Sequence, residues 1–240
     1  MSHGNAVSRR RENGCVRLLV LGAGRPQLGL LEAARSGGLL VIAVDSDPAA
    51  PGFGLADRRA LLSCADEPAI HRLAEAEDID GVISANDWSV GIAARVAHRL
   101  ALPHPLDPET AALASSRLRQ RERFLAAGIP HGPWRGEEPE TTVLGFSVGA
   151  AFHTLLGDGP AAALAAEAAS ALGIREGPTC TRLRIGSRGP QVVELAARVG
   201  SRVETERCRA ETGVDVNALA LKVALGERID AEELGLRDVA

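Results

Sequence analysis

The sequence predicts an α/β protein: a Rossmann-like parallel-sheet front domain followed by an α+β lobe. Three observations carry that expectation. Short apolar runs alternate with stretches of helical spacing through the front of the chain. The first run ends in Gly22-Ala23-Gly24, a tight strand-to-helix turn. In the second half, "TRLRI" and "QVVELAA" flank Gly186-Ser187-Arg188-Gly189 and read as a hairpin.

Taken in order, Leu18 to Leu21 is continuously apolar, the pattern of a strand buried on both faces. Leu28, Leu31 and Ala34 recur at helical spacing, and Gly37-Gly38 closes that helix. "LLVIAVD" is a second buried strand ending in Asp45, and "DPAAPGFGLAD" is a loop. Leu61-Leu62-Ser63 reads as a short third strand. "EPAIHRLAEAED" is a helix with Pro68 in its first turn, where a missing N–H costs little. "IDGVISAND" and "SVGIAARVAHRL" add a strand and a helix. Pro103, Pro105 and Pro108 mark the end of the front domain. One or two helices then run to Gly128 and Pro130. "EEPETTVLGFSVGAAFHTLLGDGP" holds one or two strands, "AAALAAEAASALGI" is a helix, and "VDVNALALKVALGE" is a helix with Asp215 as N-cap. The expected division is a disordered tail over 1–14, the front domain over 15–104 and the second lobe over 105–240.

Composition excludes several function classes. The chain is 45% hydrophobic with 2% aromatic residues and no Tyr, so the core is aliphatic and no aromatic platform exists for single-stranded nucleic acid. The net charge of −4 gives no electrostatic case for nucleic acid or an anionic membrane. Arg9-Arg10-Arg11 is a local exception within the tail. Cys15, Cys64, Cys180 and Cys208 make no CxxC spacing, which suits reduced thiols in the cytoplasm. "VRLLVLGAG" is too short for a signal peptide or a membrane span. The histidines make no HxxxH spacing, and no GxSxG elbow is present.

Gly22 and Gly24 would let backbone N–H groups approach an anion at a helix N-terminus. A dinucleotide fingerprint needs a third glycine where Gln27 stands, which weakens a nicotinamide reading. Asp45 ends the second strand where dinucleotide folds place a ribose-binding acid. Asp87 in "SANDWSV" ends a later strand at the carboxyl edge of the sheet, where it either meets a ligand or caps the following helix.

The blocks "GAGRPQLGLLEAARSGG", "VIAVDSDPAAPGFGLAD", "IDGVISANDWSV", "FLAAGIPHGPW" and "ALGIREGPTCTRLRIGSRGPQVVELAARVG" together resemble the ATP-grasp superfamily, in its carbamoyl-phosphate synthetase-like and biotin carboxylase-like branch. The resemblance implies a pre-ATP-grasp front domain, an ATP-grasp lobe, and a cytoplasmic carboxylate–amine ligase that uses ATP and magnesium on a small-molecule carboxylate. It also implies a homodimer. On this pattern Glu194 matches the carboxylate that holds magnesium and with it the nucleotide, an oxygen ligand suited to a hard cation. Arg198 matches the catalytic arginine facing the acyl-phosphate. Gly22, Gly24 and Arg117 fall on the nucleotide side, and Asp45 and Asp87 on the substrate side.

The chain departs from that pattern at several points. Arg182 stands where the family has a second metal-binding glutamate, and Ala196 where it often has Asn. Ser116-Arg117 replaces Asp-Lys, and arginine keeps the charge but changes the geometry. Between Trp134 and Gly177 the chain is too short to hold the family's central lobe, with its phosphate lysine and glycine-rich lid; Lys222 is the only lysine. Glu137 and Glu138 read as a solvated loop. The expectation is therefore a ligase-like protein with impaired or absent turnover. The alternatives are a small-molecule-binding remnant without phosphoryl transfer and an NAD(P)-dependent oxidoreductase.

Overall fold

The computed structural model describes residues 15–133, 136–149 and 151–235, so the tail expected over 1–14 lies outside the described residues. The chain divides into two units. One comprises the residues up to Pro108 together with Asn217–Arg228, and the other comprises Glu109–Val216 with the residues from Ile229 onward.

The front unit is built on β1 (Arg17–Leu21), β2 (Leu40–Asp45), β3 (Arg58–Leu61) and β4 (Gly81–Ser84), in the order β3-β2-β1-β4. All three pairings are parallel; Leu19 of β1 lies opposite Ile42 of β2 and Val82 of β4. Leu18, Leu19, Val20 and Leu21 are fully buried, which is why the strand shows no polar alternation. Helices α1 (Leu28–Ser36), α2 (Glu67–Ala76) and α3 (Asp87–Arg99) connect or follow the strands. Asp66 caps α2 by accepting from the Ala69 N–H at 3.0 Å. The chain goes to opposite sides of β1 for β2 and β4, so the order reverses between β1 and β4.

The third strand lies earlier than the expected Leu61-Leu62-Ser63. It is the edge strand, and its outward Arg58 and Arg59 are exposed. Charged side chains guard an open edge, so the strand carries no apolar run for a sequence reading to find. The helix Val216–Ala224, read with the second lobe in the sequence, groups with the front unit. A Cβ on Gly81 would lie 2.7 Å from the carbonyl oxygen of Ala224, so this helix end sits directly on β4. In the loop after α3, burial pushes the His104 imidazole down from 6.5 to about 4, while a 2.9 Å contact of Nδ1 with the Leu106 carbonyl opposes that shift. A depressed folded value means that stability is present above pH 6.5 and is lost as pH falls through 4. His104→Gln is expected to flatten the pH dependence of the urea midpoint over that window.

The second unit opens with α4 (Pro108–Ala114) and α5 (Arg117–Ala126). Its antiparallel sheet has the order β6-β5-β7-β8, from β5 (Glu140–Val148), β6 (Ala151–Leu156), β7 (Glu176–Gly186) and β8 (Gly189–Ala196). Helix α6 (Gly159–Ala171) lies between β6 and β7 in sequence, and its Leu164, Ala165, Ala168 and Ala169 are buried. Helix α7 (Arg202–Thr212) begins with a capping box between Ser201 and Glu204 and ends at Gly213 in the left-handed region. Its successor, α8, is the Val216–Ala224 helix. Gly145 in β5 lies under the Phe152 ring, whose Cζ would be 2.0 Å from an added Cβ. Gly145→Ala is expected to cost about 1–3 kcal/mol by overpacking, read as a lower urea midpoint. No helix among the described residues is long and apolar enough to cross a membrane.

Candidate functional site

In the front unit the Gly22–Gly24 turn closes on the protein itself. The Gly22 N–H donates to the Val44 carbonyl at 2.8 Å, and the Ala23 N–H to Asp45 Oδ2 at 2.8 Å. The Ala23 carbonyl accepts from the Gly52 N–H at 2.7 Å. Asp45 Oδ1 accepts from the Asp47 N–H at 3.0 Å. The Gln27 carboxamide lies over the turn, with Cδ and Nε2 each 2.7 Å from where a Cβ on Gly22 would be. Gly22 has φ +97°, so glycine is needed there for conformation as well as for space. Gln27 is buried, and its Nε2 finds no hydrogen-bond partner among the described residues. The side chain at the third-glycine position thus fills the space above the turn, and Asp45 places a negative charge beside it. Asp45 also helps burial push the neighbouring Cys64 thiol up to about 11; burial is the larger cause. Asp87 sits in the first turn of α3, and the N-cap position belongs to Asn86. Trp88 beside it is exposed.

In the second unit the sheet brings together Arg117, Arg182 and Glu194. Arg182 of β7 and Glu194 of β8 are directly opposite across the two strands, beside an irregularity between Arg182 and Leu183. Glu194 Oε1 is 3.2 Å from Arg182 Nη2, and Oε2 is 2.8 Å from Arg117 Nε. Arg117 reaches the sheet because it is the first residue of α5, set by the Ser116 cap. Arg182 Nε also lies 3.8 Å from Glu140 Oε2. Glu140 Oε1 in turn holds Arg184 Nη2 at 2.8 Å, and Arg184 Nη1 donates to the Pro133 carbonyl at 2.6 Å. An ion-pair ladder therefore crosses one sheet face as Arg117–Glu194–Arg182–Glu140–Arg184. The Arg184 and Glu194 side chains are 5% and 17% exposed, so solvent screens those rungs less than an open surface pair. Arg198 is half-buried in the segment after β8, where Nη1 donates to the Val199 carbonyl at 2.8 Å. Glu137 and Glu138 are exposed, as expected.

The donor set does not fit magnesium. A divalent cation of this size takes oxygen ligands in near-octahedral geometry. Both oxygens of Glu194 face guanidinium groups, and the nearby Glu140 carboxylate is held by Arg184 and Arg182. Among the described residues, no group of three His, Cys, Asp or Glu side chains is arranged to hold a metal ion.

Two features of the site escaped the sequence reading. Gln120 of α5 is buried and fastens the helix to β8: Nε2 donates to the Ala114 and Leu195 carbonyls at 2.5 and 2.7 Å, and Oε1 accepts from the Leu195 N–H at 3.1 Å. The other is the Glu140–Arg184 rung. The i, i+2 spacing of Arg182 and Arg184 is the one signal that could have suggested a charged strand face.

No protein-family model and no curated relative matches this sequence. Solved structures do. Phosphoribosylglycinamide synthetase from Anaerococcus prevotii matches with a TM-score of 0.77 at 16% identity, over 89% of this chain and 76% of that one. L-amino acid ligase from Bacillus licheniformis matches with a TM-score of 0.77 at 19% identity, over 91% and 76%. Biotin carboxylase from Campylobacter jejuni, solved as a β-γ-ATP complex, matches with a TM-score of 0.72 at 15% identity, over 91% and 72%. At these identities the likeness shows the fold.

Proposed function

We propose, from the ATP-grasp fold that these likenesses show, that the chain is a carboxylate–amine ligase-like protein without metal-assisted phosphoryl transfer. The observation that carries this reading is Glu194 held at both oxygens by Arg117 and Arg182. The carboxylate that would seat a metal serves here as an internal counter-ion. The short stretch between Trp134 and Gly177 supports the same reading, because no lysine lies in it. Arg198, beside the ladder in sequence, is the residue proposed to meet the negative charge of a small carboxylate. In the front unit, Asp45 and Asp87 stand at the carboxyl ends of β2 and β4, the edge where open α/β sheets bind ligands, and they carry the substrate side of the proposal. Gly22 and Gly24 contribute the shape of that edge; the N–H groups of Gly22 and Ala23 are already bonded within the protein.

The test is a phosphate-release assay with ATP and magnesium, run beside calorimetric titration of the folded protein with the same mixture. The expected result is no release above the protein-free control. ATP-dependent release that disappears in Glu194→Ala would overturn the proposal.

A further inference from the structure

The face of the second sheet opposite the ion-pair ladder holds a cavity of about 780 Å³, a volume within the range of small-molecule sites. Side chains alternate along a strand, so Ser147 of β5 points away from the face that carries Glu140. Ser147 lines the cavity together with α6 and the segment that follows it. It is 3% exposed. A hydroxyl at a cavity wall can bond a polar group that enters the cavity.

The walls supply the remaining chemistry. Ile129, Phe152 and Ile174 are apolar, and Ala166 is small enough to leave the space open. Glu167 and Arg175 stand at the same cavity, and neither has an ion-pair partner among the described residues. Both are exposed, and opposite charges bordering one cavity without pairing to each other complement a ligand that carries both charges itself. The C-terminal end of α6 also borders the space, and its partial negative charge favours the cationic end of such a ligand.

We infer that this cavity binds a free α-amino acid with an apolar side chain. Arg175 takes the carboxylate, Glu167 and the helix end take the ammonium group, and the Ser147 hydroxyl donates to a carboxylate oxygen. The apolar side chain lies against Phe152, Ile129 and Ile174. The site is separate from the Glu194 cluster, and the inference stands whether or not the protein turns over ATP.

The experiment is calorimetric titration of the full chain with L-leucine and with L-phenylalanine, without nucleotide. Saturable binding of at least one is expected. Arg175→Gln, a change at an exposed position, should weaken it by about tenfold or more through loss of a charge-assisted contact. Ala166→Leu keeps a good helix former and fills the space, and should abolish binding while the circular dichroism spectrum is unchanged. 4-Methylpentanoate and isopentylamine each lack one charge and should bind about tenfold more weakly than leucine. No saturation with either amino acid overturns the inference. So does binding that both variants leave unchanged, or equal binding of 4-methylpentanoate.

Discussion

Arg182→Glu is expected to create a divalent-cation site that the wild-type protein does not have. The substitution sets two carboxylates directly opposite each other on β7 and β8, because residue 182 pairs with Glu194. It also removes the guanidinium that faces Glu194 Oε1 at 3.2 Å. Without metal, like charges opposite each other repel. The lost pair is partly exposed, with Arg182 at 30% and Glu194 at 17%, so the cost is smaller than for a fully buried ion pair. A drop of about 1–2 kcal/mol in metal-free stability is expected. Mn²⁺ should recover part of that drop, because a ligand bound only by the folded state raises stability with its concentration. Electron paramagnetic resonance of added Mn²⁺ gives the direct reading. Free signal should fall with Arg182→Glu, stay full with wild type, and return in Arg182→Glu combined with Glu194→Gln. Wild type that captures Mn²⁺ as well as the variant does would mean that the arginine is no barrier.

Gln120→Ala is expected to be the most destabilising single change in the second unit. The buried carboxamide serves two carbonyls and one N–H, on Ala114 and Leu195. Alanine leaves those backbone groups without the partner and opens a cavity between α5 and β8. Loss of a buried hydrogen-bond partner costs about 1–3 kcal/mol, and the cavity adds to it, so about 3–5 kcal/mol is expected. Arg117 sits three residues away on the same helix, so its 2.8 Å contact with Glu194 should loosen as well. Chemical denaturation checks the stability. Amide exchange checks the linkage, and faster exchange at the Leu195 N–H with an unchanged rate at the Leu19 N–H would place the damage in the second unit. A loss below 1 kcal/mol would show that the clamp is dispensable.

The strands that are easiest to read from sequence are those buried on both faces. Leu18 to Leu21 and "LLVIAVD" carry uninterrupted apolar runs because each has neighbours on both sides and layers above and below. Arg58–Leu61 lacks that signal because it is an edge strand. The Arg182–Glu194 pair was legible once the hairpin was placed, since a cation beside a lone carboxylate on the neighbouring strand has an obvious partner. Arg117 as the second partner was not legible, because its reach depends on how α5 is docked. That docking rests on Gln120, whose role involves backbone atoms far along the chain and leaves no periodic mark. The occlusion of the Gly22–Gly24 turn was half-legible. The missing glycine at Gln27 was plain, but its side chain folding back over the turn was not.

The return of residues 217–228 to the front unit has a consequence for how the protein comes into being. Leu219, Ala220, Val223, Ala224 and Leu225 are buried, and the carbonyl of Ala224 lies against Gly81. A nascent chain that has just left the ribosome through Pro108 therefore carries a sheet without the helix end that lies against Gly81. It must wait while more than a hundred further residues are translated before its last helix arrives. During that interval β4 lacks the helix end that lies against Gly81. Chaperone dependence in the cell should accordingly follow the synthesis of the front unit, although that is the part with the simpler topology.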